Sequence, residues 1–215
     1  MRSPWHLYPV VIVGSGDSLS DAQVALVRKR ITDDAIRCIA INNTAWRIPE
    51  AHVIYACDSA WWRCRDEATG KKYAQLVAEL CPNIERWSCD TQCKDFGCNI
   101  IPAKGGRGIS PMDDPKIMRG SAGGTQAVGM AIKWGAKHIV LIGFDAKRGS
   151  TGKAHYFGDH DAKQLPNPQP MAAWAKEYDE LAAPAEKMGI RIAQCSLSTA
   201  TTKLIRSTLE EEIGT

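Results

Sequence analysis

The sequence predicts an α/β fold with three layers and a mainly parallel sheet. Short apolar runs alternate with segments of helical periodicity, which is the pattern of consecutive βαβ units. Most runs are continuously apolar, as in strands that are covered on both faces. Small and polar residues follow these runs, at positions that a parallel sheet brings to one edge. We therefore expect residues 1–215 to form a single Rossmann-like domain.

The predicted elements follow one another in βα order along the chain. Strands are expected at 10–14, 38–42, 52–58, 84–90, 138–145 and 190–196, and helices at 18–30, 59–80, 122–135, 170–188 and 202–213. Two stretches without periodicity interrupt this order, residues 91–120 and 146–169, which are rich in glycine, proline and charge. Loops of this length in a compact domain usually carry function or are disordered. We interpret them as two long active-site loops.

The composition is typical of a globular protein. Hydrophobic residues make up 44% and charged residues 24%, and no apolar run approaches the roughly 20 residues that span a bilayer. The formal net charge of +3 is too small to indicate nucleic-acid binding by itself, although a local basic patch would still attract an anion. The N-terminal segment resembles a first strand and not a signal peptide, so we expect a cytoplasmic location.

Three of the eight cysteines lie in one polar segment, "SCDTQCKDFGCN". Cys89, Cys93 and Cys98 do not show the paired C-x-x-C spacing of a structural zinc site. We predict reduced, unliganded thiols, and a metal site on this cluster is the alternative.

The first strand ends in a glycine turn, "VVIVGSGDS". Gly14 and Gly16 would let the backbone approach a ligand closely, and the N–H groups of the following helix would face an anion. The spacing is not G-x-G-x-x-G, because Leu19 stands at the third position, and the G-K-[ST] of a P-loop is also absent. The alternative is a tight strand-to-helix turn that Asp17 or Ser18 caps.

A second glycine-rich turn opens the helix at 122–135. Ser121, Gly123 and Gly124 place this helix N-terminus at the same sheet edge, where it would form a second anion site. The alternative is a glycine-rich helix start that binds no ligand. Further polar residues follow the other strands at this edge: Asn42, Asn43, Asp58, Asp145, Lys147 and Arg148.

The segment "GKAHYFGDHDAK" carries the most reactive side chains. His155, Asp159 and His160 lie beside Tyr156, and a loop histidine near a carboxylate suits the removal of a proton from a hydroxyl group. The same residues could instead hold a divalent metal, or the segment could be a solvated loop. Trp174 and Tyr178 fall at helical spacing, which indicates core positions.

Several motifs together resemble a known family. The segments "VVIVGSGDSL", "AINNTAW", "VIYACDSAWW", "GGTQAVGMAIKWGAKHIVLIGFD" and "HYFGDH" occur in the order found in bacterial sialyltransferases that use CMP-sialic acid. The signature is also similar to the 6-hydroxymethylpterin diphosphokinase MptE-like family, whose members begin with a G-x-G-x-S-L turn. The resemblance covers roughly residues 9–200, and small proteins of this type also occur in bacteriophage genomes.

The sialyltransferase resemblance implies which residues hold the nucleotide. The first turn and the asparagines after the second strand would bind it: Gly14, Ser15, Gly16, Ser18, Asn42 and Asn43. Ser121, Gly123 and Gly124 would line the cytidine pocket, and we assign Tyr156 to the nucleotide site as well. The family steadies the departing phosphate with tyrosines, whereas this chain has Lys147 and Arg148 near the first of those positions. Their charge would stabilise that phosphate.

The same resemblance implies the catalytic group. The family's general base is the last histidine of an H-Y-x-G-H motif, which corresponds here to His160, or to Asp159 if the extra residue shifts the register. His155 is the remaining catalytic candidate. The expected reaction is transfer of a sugar from a nucleotide-activated donor, with a CMP-type nucleotide favoured, to an acceptor hydroxyl. It would require no metal and no tightly bound cofactor.

Two other functions stay open. In the first, Asp58 and Asp145 hold Mg²⁺ for pyrophosphoryl transfer from ATP, as the MptE-like resemblance implies. In the second, a non-catalytic phage protein binds a nucleotide or a nucleic-acid end through the glycine turns and the basic loop "KGGRG". The expected partner is a small-molecule nucleotide, or a nucleic-acid end in the last of these functions. The acceptor (a glycan, a small molecule or a nucleic acid) and the oligomeric state remain open.

Overall fold

One parallel sheet of eight strands forms the centre of the computed structural model, which describes residues 5–165 and 171–215. The strands are β1 (Pro9–Val13), β2 (Arg37–Ile41), β3 (Val53–Tyr55), β4 (Glu85–Ser88), β5 (Asn99–Ile100), β6 (Ala103–Lys104), β7 (Ile117–Met118), β8 (His138–Ile142), β9 (Arg191–Gln194) and β10 (Ile205–Arg206). β6 and β7 pair only with each other, in a separate two-stranded sheet. All neighbouring strands of the large sheet run parallel, which confirms the predicted fold class.

The strand order reverses in the middle of the sheet. It reads β10-β9-β8-β1-β2-β3-β4-β5, so the chain moves outward from β1 in one direction and from β8 in the other. Val13 pairs with Ile142 in register, and the two strands therefore end side by side, at Gly14 and Gly143. Parallel α/β sheets bind ligands in the crevice outside the carboxyl ends of the strands at such a switch point.

Helices cover both faces of the sheet. They are α1 (Asp21–Thr32), α2 (Ser59–Arg63), α3 (Tyr73–Leu80), α4 (Gly123–Lys133), α5 (Ala172–Asp179), α6 (Ala182–Lys187) and α7 (Leu209–Ile213), with 3₁₀ helices at Trp5–Leu7, Asn42–Trp46 and Thr91–Phe96. In the described part of the chain, none of the helices combines the length and the apolar character needed to cross a membrane.

Alternate side chains of the central strands enter two separate apolar cores. Val10 and Ile12 of β1 pack in the core that α4, α5 and α6 complete. Val11 and Val13 of the same strand pack in the core that α1, α2, α3 and α7 complete. Since both faces of β1 are buried, its sequence is apolar at every position, and the three-layer prediction is confirmed.

The predicted helix at 59–80 is wrong in its middle part. α2 ends at Arg63 and α3 begins only at Tyr73, with a turn between them. The Asp66 carboxylate accepts hydrogen bonds from the N–H and hydroxyl of Thr69, and Gly70 has a φ of +68°. A helix cannot continue through a left-handed residue, so the segment splits in two.

The two C-terminal helices also differ from their predictions. Within the predicted helix at 170–188, Pro170 lies outside the described residues and the rest divides into α5 and α6. Pro184 has no N–H to donate to Glu180, so it fits only near the start of a new helix. The helix predicted at 202–213 begins only at Leu209, because Thr208 is its N-cap and forms a capping box with Glu211.

The two predicted loops differ in how much regular structure they contain. Residues 91–120 include a 3₁₀ helix and the short strands β5, β6 and β7, so the prediction of an aperiodic loop is wrong for part of this segment. Residues 146–165 contain turns and one isolated bridge between His155 and Gly158, and residues 166–169 lie outside the described residues.

Candidate functional site

A cavity of about 550 Å³ opens over the ends of β1 and β8. The turns after both strands, the start of α4, both long loops and α5 all supply residues to its wall. Ser15 of the first glycine turn and Ser121 of the second line this same cavity, together with His160. The sheet topology therefore brings both turns to one place with the segment 146–165, which carries His155 and His160 and is called the histidine loop below.

Most of the predicted site residues lie in the cavity wall. These are Gly14, Ser15, Gly16, Asn42, Asp58, Ser121, Gly123, Gly124, Asp145, His155 and His160. The remaining predicted site residues lie outside this wall: Ser18, Asn43, Lys147, Arg148, Tyr156 and Asp159. All of these except the exposed Lys147 make a hydrogen bond that explains their position.

The glycines after β1 are required by the neighbouring strand end. The Gly16 N–H donates to the Gly143 carbonyl at 2.8 Å, and a Cβ on Gly16 would lie 2.7 Å from that oxygen and in contact with the Asp145 carboxylate. A Cβ on Gly14 would lie 2.6 Å from the same oxygen. Packing between two turns therefore explains these glycines without a ligand.

Asp145 ties the first turn to the end of β8. Its carboxylate accepts hydrogen bonds from the Ser18 N–H at 2.8 Å and the Ser18 hydroxyl at 2.7 Å. Asp145 is only 2% exposed, and this burial raises the pKa of its carboxyl group. Ser18, which the sequence assigned to the nucleotide, therefore contacts Asp145 instead.

The first predicted anion site is not formed by a helix N-terminus. α1 begins at Asp21, not at 18, because Ser20 is its N-cap and accepts a hydrogen bond from the Gln23 N–H. No residue of α1 lies in the cavity wall. The first turn contributes only its own backbone and Ser15 to the cavity.

The second predicted anion site already has a carboxylate beside it. Glu177 of α5 is 1% exposed, and both of its oxygens accept from the Ser121 N–H at 2.9 Å. The Ser121 hydroxyl also donates to Glu177. Gly124 must lack a side chain because a Cβ would lie 2.6 Å from the Phe144 ring. Gly123 has more space, since a Cβ there would meet only Cys57 Sγ, at 3.9 Å.

A cation of the basic loop "KGGRG" lies in the cavity wall. Arg107, from the segment between β6 and β7, is the one lysine or arginine among the described residues that line the cavity. Its Nε lies 3.7 Å from Glu177, its Nη1 lies 4.0 Å from Glu180, and the side chain is 47% exposed. These separations leave the guanidinium able to contact a ligand.

Lys147 and Arg148 do not occupy the predicted position. Lys147 is exposed and lies outside the cavity wall. Arg148 donates through Nη1 to the Asp159 carboxylate at 3.0 and 3.1 Å and to the Gly152 carbonyl at 2.6 Å. Both Arg148 and Asp159 therefore stabilise the histidine loop, and neither faces the cavity.

Tyr156 fixes the same loop to the sheet edge. Its N–H donates to the Ser15 carbonyl at 3.0 Å, and its hydroxyl donates to the Asn43 carbonyl at 2.9 Å. The Asn43 side chain in turn accepts from the Trp61 indole N–H at 2.7 Å. Asn42, beside it in the chain, has a φ of +53° and does line the cavity.

Two histidines stand together on the cavity wall. His155 Nδ1 lies 2.9 Å from the Ser15 hydroxyl, and the His155 and His160 ring centroids are 4.7 Å apart. Burial, and then the charge of His160, lower the pKa of His155 to about 4. Burial also lowers the pKa of His160. Both imidazoles are therefore uncharged at neutral pH and able to accept a proton.

His155 should make the stability of the fold depend on pH. Its pKa is about 4 in the folded chain and near 6.5 in the unfolded chain, so only the unfolded chain is protonated between these values. Stability that is present above pH 6.5 should be lost as the pH falls towards 4, by on the order of 3 kcal/mol. Asp145, with its raised pKa, acts in the opposite direction.

Urea unfolding at a series of pH values measures this loss. His155→Gln keeps a hydrogen-bonding group beside Ser15 but cannot be protonated, so the variant should show a flatter dependence between pH 6.5 and 4. Equal slopes for the variant and the natural chain would show that His155 is not the titrating group.

Aromatic side chains also line the cavity, and two of them, Phe144 and Tyr178, lie against Gly124 at the start of α4. Trp174 and Tyr178 of α5 line it together with Phe144, and the Phe144 and Tyr178 ring centroids are 5.1 Å apart. The core prediction is right for Tyr178, which is buried, whereas Trp174 is only partly buried. The helical spacing of Trp174 and Tyr178 predicted core positions for both residues, but only the tertiary structure shows that both line the cavity.

The potential metal ligands are engaged in other contacts. Asp58 caps α2 by accepting from the Trp61 N–H at 3.1 Å, and both oxygens of Asp145 accept from Ser18. Within residues 5–165 and 171–215, no group of three or more His, Cys, Asp or Glu side chains is placed to hold a metal ion. All eight cysteines are free thiols, and burial raises the pKa of Cys93 to about 11 and of Cys98 to about 12.

Comparison with protein-family models, curated proteins and solved structures gave no match to this chain. The resemblance to sialyltransferases and to the MptE-like family therefore stays a prediction from sequence motifs.

Proposed function

We propose that the chain is a nucleotide-dependent transferase, specifically a glycosyltransferase that uses a nucleotide-activated sugar and a histidine general base. The observation that carries this proposal is the cavity at the switch point between β1 and β8, whose wall combines a cation, a helix start and two uncharged imidazoles. In parallel α/β sheets this is the usual place for a ligand.

The phosphate of the nucleotide would lie between the Ser15 turn and the start of α4. Glu177 accepts from the N–H groups of Ser121 and Ala122, whereas the first N–H groups of α4 itself have no intrahelical partner and receive no side-chain hydrogen bond from the N-cap residue Ala122. An anion in front of Gly123 would accept hydrogen bonds there and gain from the helix dipole. Arg107 would contact the same phosphate and stabilise the charge that it gains on leaving.

The base would lie against the aromatic side chains beside the start of α4, and the sugar would extend towards the histidine loop. Trp174, Phe144 and Tyr178 offer aromatic and apolar surface of the kind on which a planar base stacks. His160 lines the cavity from the histidine loop, and there it would remove the proton from an acceptor hydroxyl. The acceptor oxygen would then bond to the anomeric carbon as the bond from that carbon to the phosphate oxygen breaks.

Arg107→Ala should weaken nucleotide binding by about ten- to a hundredfold, because a hydrogen bond to a charged group typically contributes about 1.5–3 kcal/mol. Lys147→Ala is the matched control, since Lys147 is exposed outside the cavity and its loss should leave the affinity unchanged. Equal losses in the two variants would contradict the assignment of the phosphate contact to Arg107.

A thermal-shift panel of CMP, UDP, GDP and ADP and their sugar conjugates identifies the nucleotide. A ligand at 100 times its dissociation constant should stabilise the fold by about 2.7 kcal/mol, which is a measurable rise in Tm. Calorimetry on the best ligand then gives the affinities of the Arg107 and Lys147 variants. Failure of every nucleotide to raise the Tm would remove the proposal.

One observation favours a second candidate, the pyrophosphoryl transfer of the MptE-like family. Asp58 and Asp145 both line the cavity, where they would have to release their present hydrogen bonds to hold Mg²⁺. Release of AMP from ATP that depends strictly on Mg²⁺ would support this candidate. Nucleotide binding without any turnover would instead support the non-catalytic binding protein.

We also propose a cytoplasmic location. The eight free thiols support it, since disulfides are rare in that reducing compartment.

A further inference from the structure

A second cavity, of about 330 Å³, adjoins the first, and His160 and Leu165 line both. The rest of its wall comes from Asn43 after β2, from the turn between α2 and α3, from Tyr73 at the start of α3, and from the histidine loop. His160, the proposed general base, therefore lies between the cavity proposed for the nucleotide and this second cavity. A group-transfer enzyme needs a second binding site in this position.

The wall of this second cavity is strongly acidic. Four carboxylates line it, those of Asp66, Glu67, Asp159 and Asp161, whereas Arg65 is the one lysine or arginine in the described wall. Asp159 is paired with Arg148. None of the other three carboxylates takes part in an ion pair among residues 5–165 and 171–215. The remaining negative charge would attract a cation and repel an anion.

An exposed aromatic ring also faces this part of the surface. Phe157 is 38% exposed, and one face of its ring stacks on His155 with centroids 4.9 Å apart and planes inclined by 12°. Tyr73 contributes a second ring to the cavity wall. Aromatic faces contact both cations and the apolar faces of sugar rings, so they fit a charged, ring-shaped ligand.

We propose that the second cavity is the acceptor site and that it takes a hydroxylated amine in its ammonium form, such as an amino sugar. This inference rests on the proposed transferase function. The acceptor hydroxyl would give its proton to the His160 imidazole, its oxygen would bond to the anomeric carbon, and the electron pair of the broken bond would stay on the nucleotide phosphate. An acceptor with phosphate or carboxylate groups, including a nucleic acid, would be repelled.

Calorimetry with three methyl glycosides of the same ring tests this inference: the 2-amino-2-deoxyglucoside, the glucoside and the glucuronide. The amine should bind about tenfold or more tightly than the glucuronide, with the glucoside between them. The difference should shrink as salt is raised from 0.01 to 0.5 M, because exposed charges are screened. Equal or tighter binding of the glucuronide, or no binding of any glycoside, would overturn the inference.

Variants locate the site. Glu67→Gln should weaken binding of the amine by about two- to fivefold without weakening the glucoside, whereas Glu186→Gln removes the same charge from an exposed helix position outside both cavities and should change neither. Phe157→Leu should weaken all three glycosides, and the amine most, because the ring offers its face both to the sugar and to the ammonium group. Equal effects of Glu67→Gln and Glu186→Gln would also overturn the assignment.

These titrations are made without a nucleotide, so the two proposals can fail separately. Binding of the amine without binding of any nucleotide would contradict the proposed transferase function but support the second binding site. A chain that binds a nucleotide but shows no preference among the glycosides would lose only the acceptor inference.

Discussion

Replacing His160 with alanine should lower the rate of CMP release from CMP-sialic acid by about a hundredfold or more, because a positioned general base typically contributes 10²- to 10⁴-fold. The imidazole lines both cavities, so it can reach a group in either of them. Nucleotide affinity should change little, since the proposed phosphate contacts are made by Arg107 and the two turns. The loss should therefore appear in kcat and not in the binding of CMP.

The pH profile provides an independent check on His160. Burial lowers the pKa of His160 below the ordinary 6.5, so the group stays unprotonated and able to act as a base to lower pH than a free histidine. The natural chain should lose activity on the acid side of pH 6.5, as His160 becomes protonated. If His160→Ala keeps the rate and the profile of the natural chain, the proposed base is wrong.

Gly143→Ala should destabilise the fold by on the order of 3 kcal/mol or more, for two reasons that act together. Gly143 has a φ of +68°, a conformation that alanine adopts only with strain. A Cβ there would also overlap the Gly14 carbonyl, which is backbone at the end of β1 and cannot move without disturbing the sheet. Urea unfolding measures the change.

Gly123→Ala is the matched control for Gly143→Ala. Gly123 begins α4, has no positive φ, and leaves a Cβ 3.9 Å from its nearest neighbour outside the helix. Alanine is favoured over glycine in a helix by up to about 1 kcal/mol, so this variant should be as stable as the natural chain or slightly more stable. Similar losses in both variants would show that the interlocked turns do not explain the glycine at 143.

The fold class was predictable because burial on both faces leaves a direct mark on the sequence. Val10, Val11, Ile12 and Val13 are all apolar because alternate side chains enter different cores. The helix ends were less predictable. The break after α2 depends on the Asp66–Thr69 turn and on Gly70, whereas the apolar residues on either side continue a helical pattern.

The candidate site was predictable where it follows from topology. Ser15 follows the buried strand β1, and Ser121 precedes α4, the helix that leads into β8. Both positions were therefore expected at the same edge of a parallel sheet, and both serines line one cavity. The role of Arg148 was not predictable, because its pairing with Asp159 depends on how the histidine loop folds back. Arg107 reaches the cavity from the segment between β6 and β7; the basic sequence "KGGRG" marked this segment as a candidate for binding a nucleotide or a nucleic-acid end, but not as part of the transferase site.

The central claim is that a nucleotide phosphate lies between the turn after β1 and the start of α4. An NMR titration of the backbone amides with CMP tests it most directly. The claim predicts that the resonances of Ser15, Gly16, Gly123 and Gly124 shift together and saturate at one dissociation constant, while those of the exposed α6 residue Glu186 do not move. Saturable shifts confined to residues outside the switch-point cavity, or no shift with any nucleotide, would contradict it.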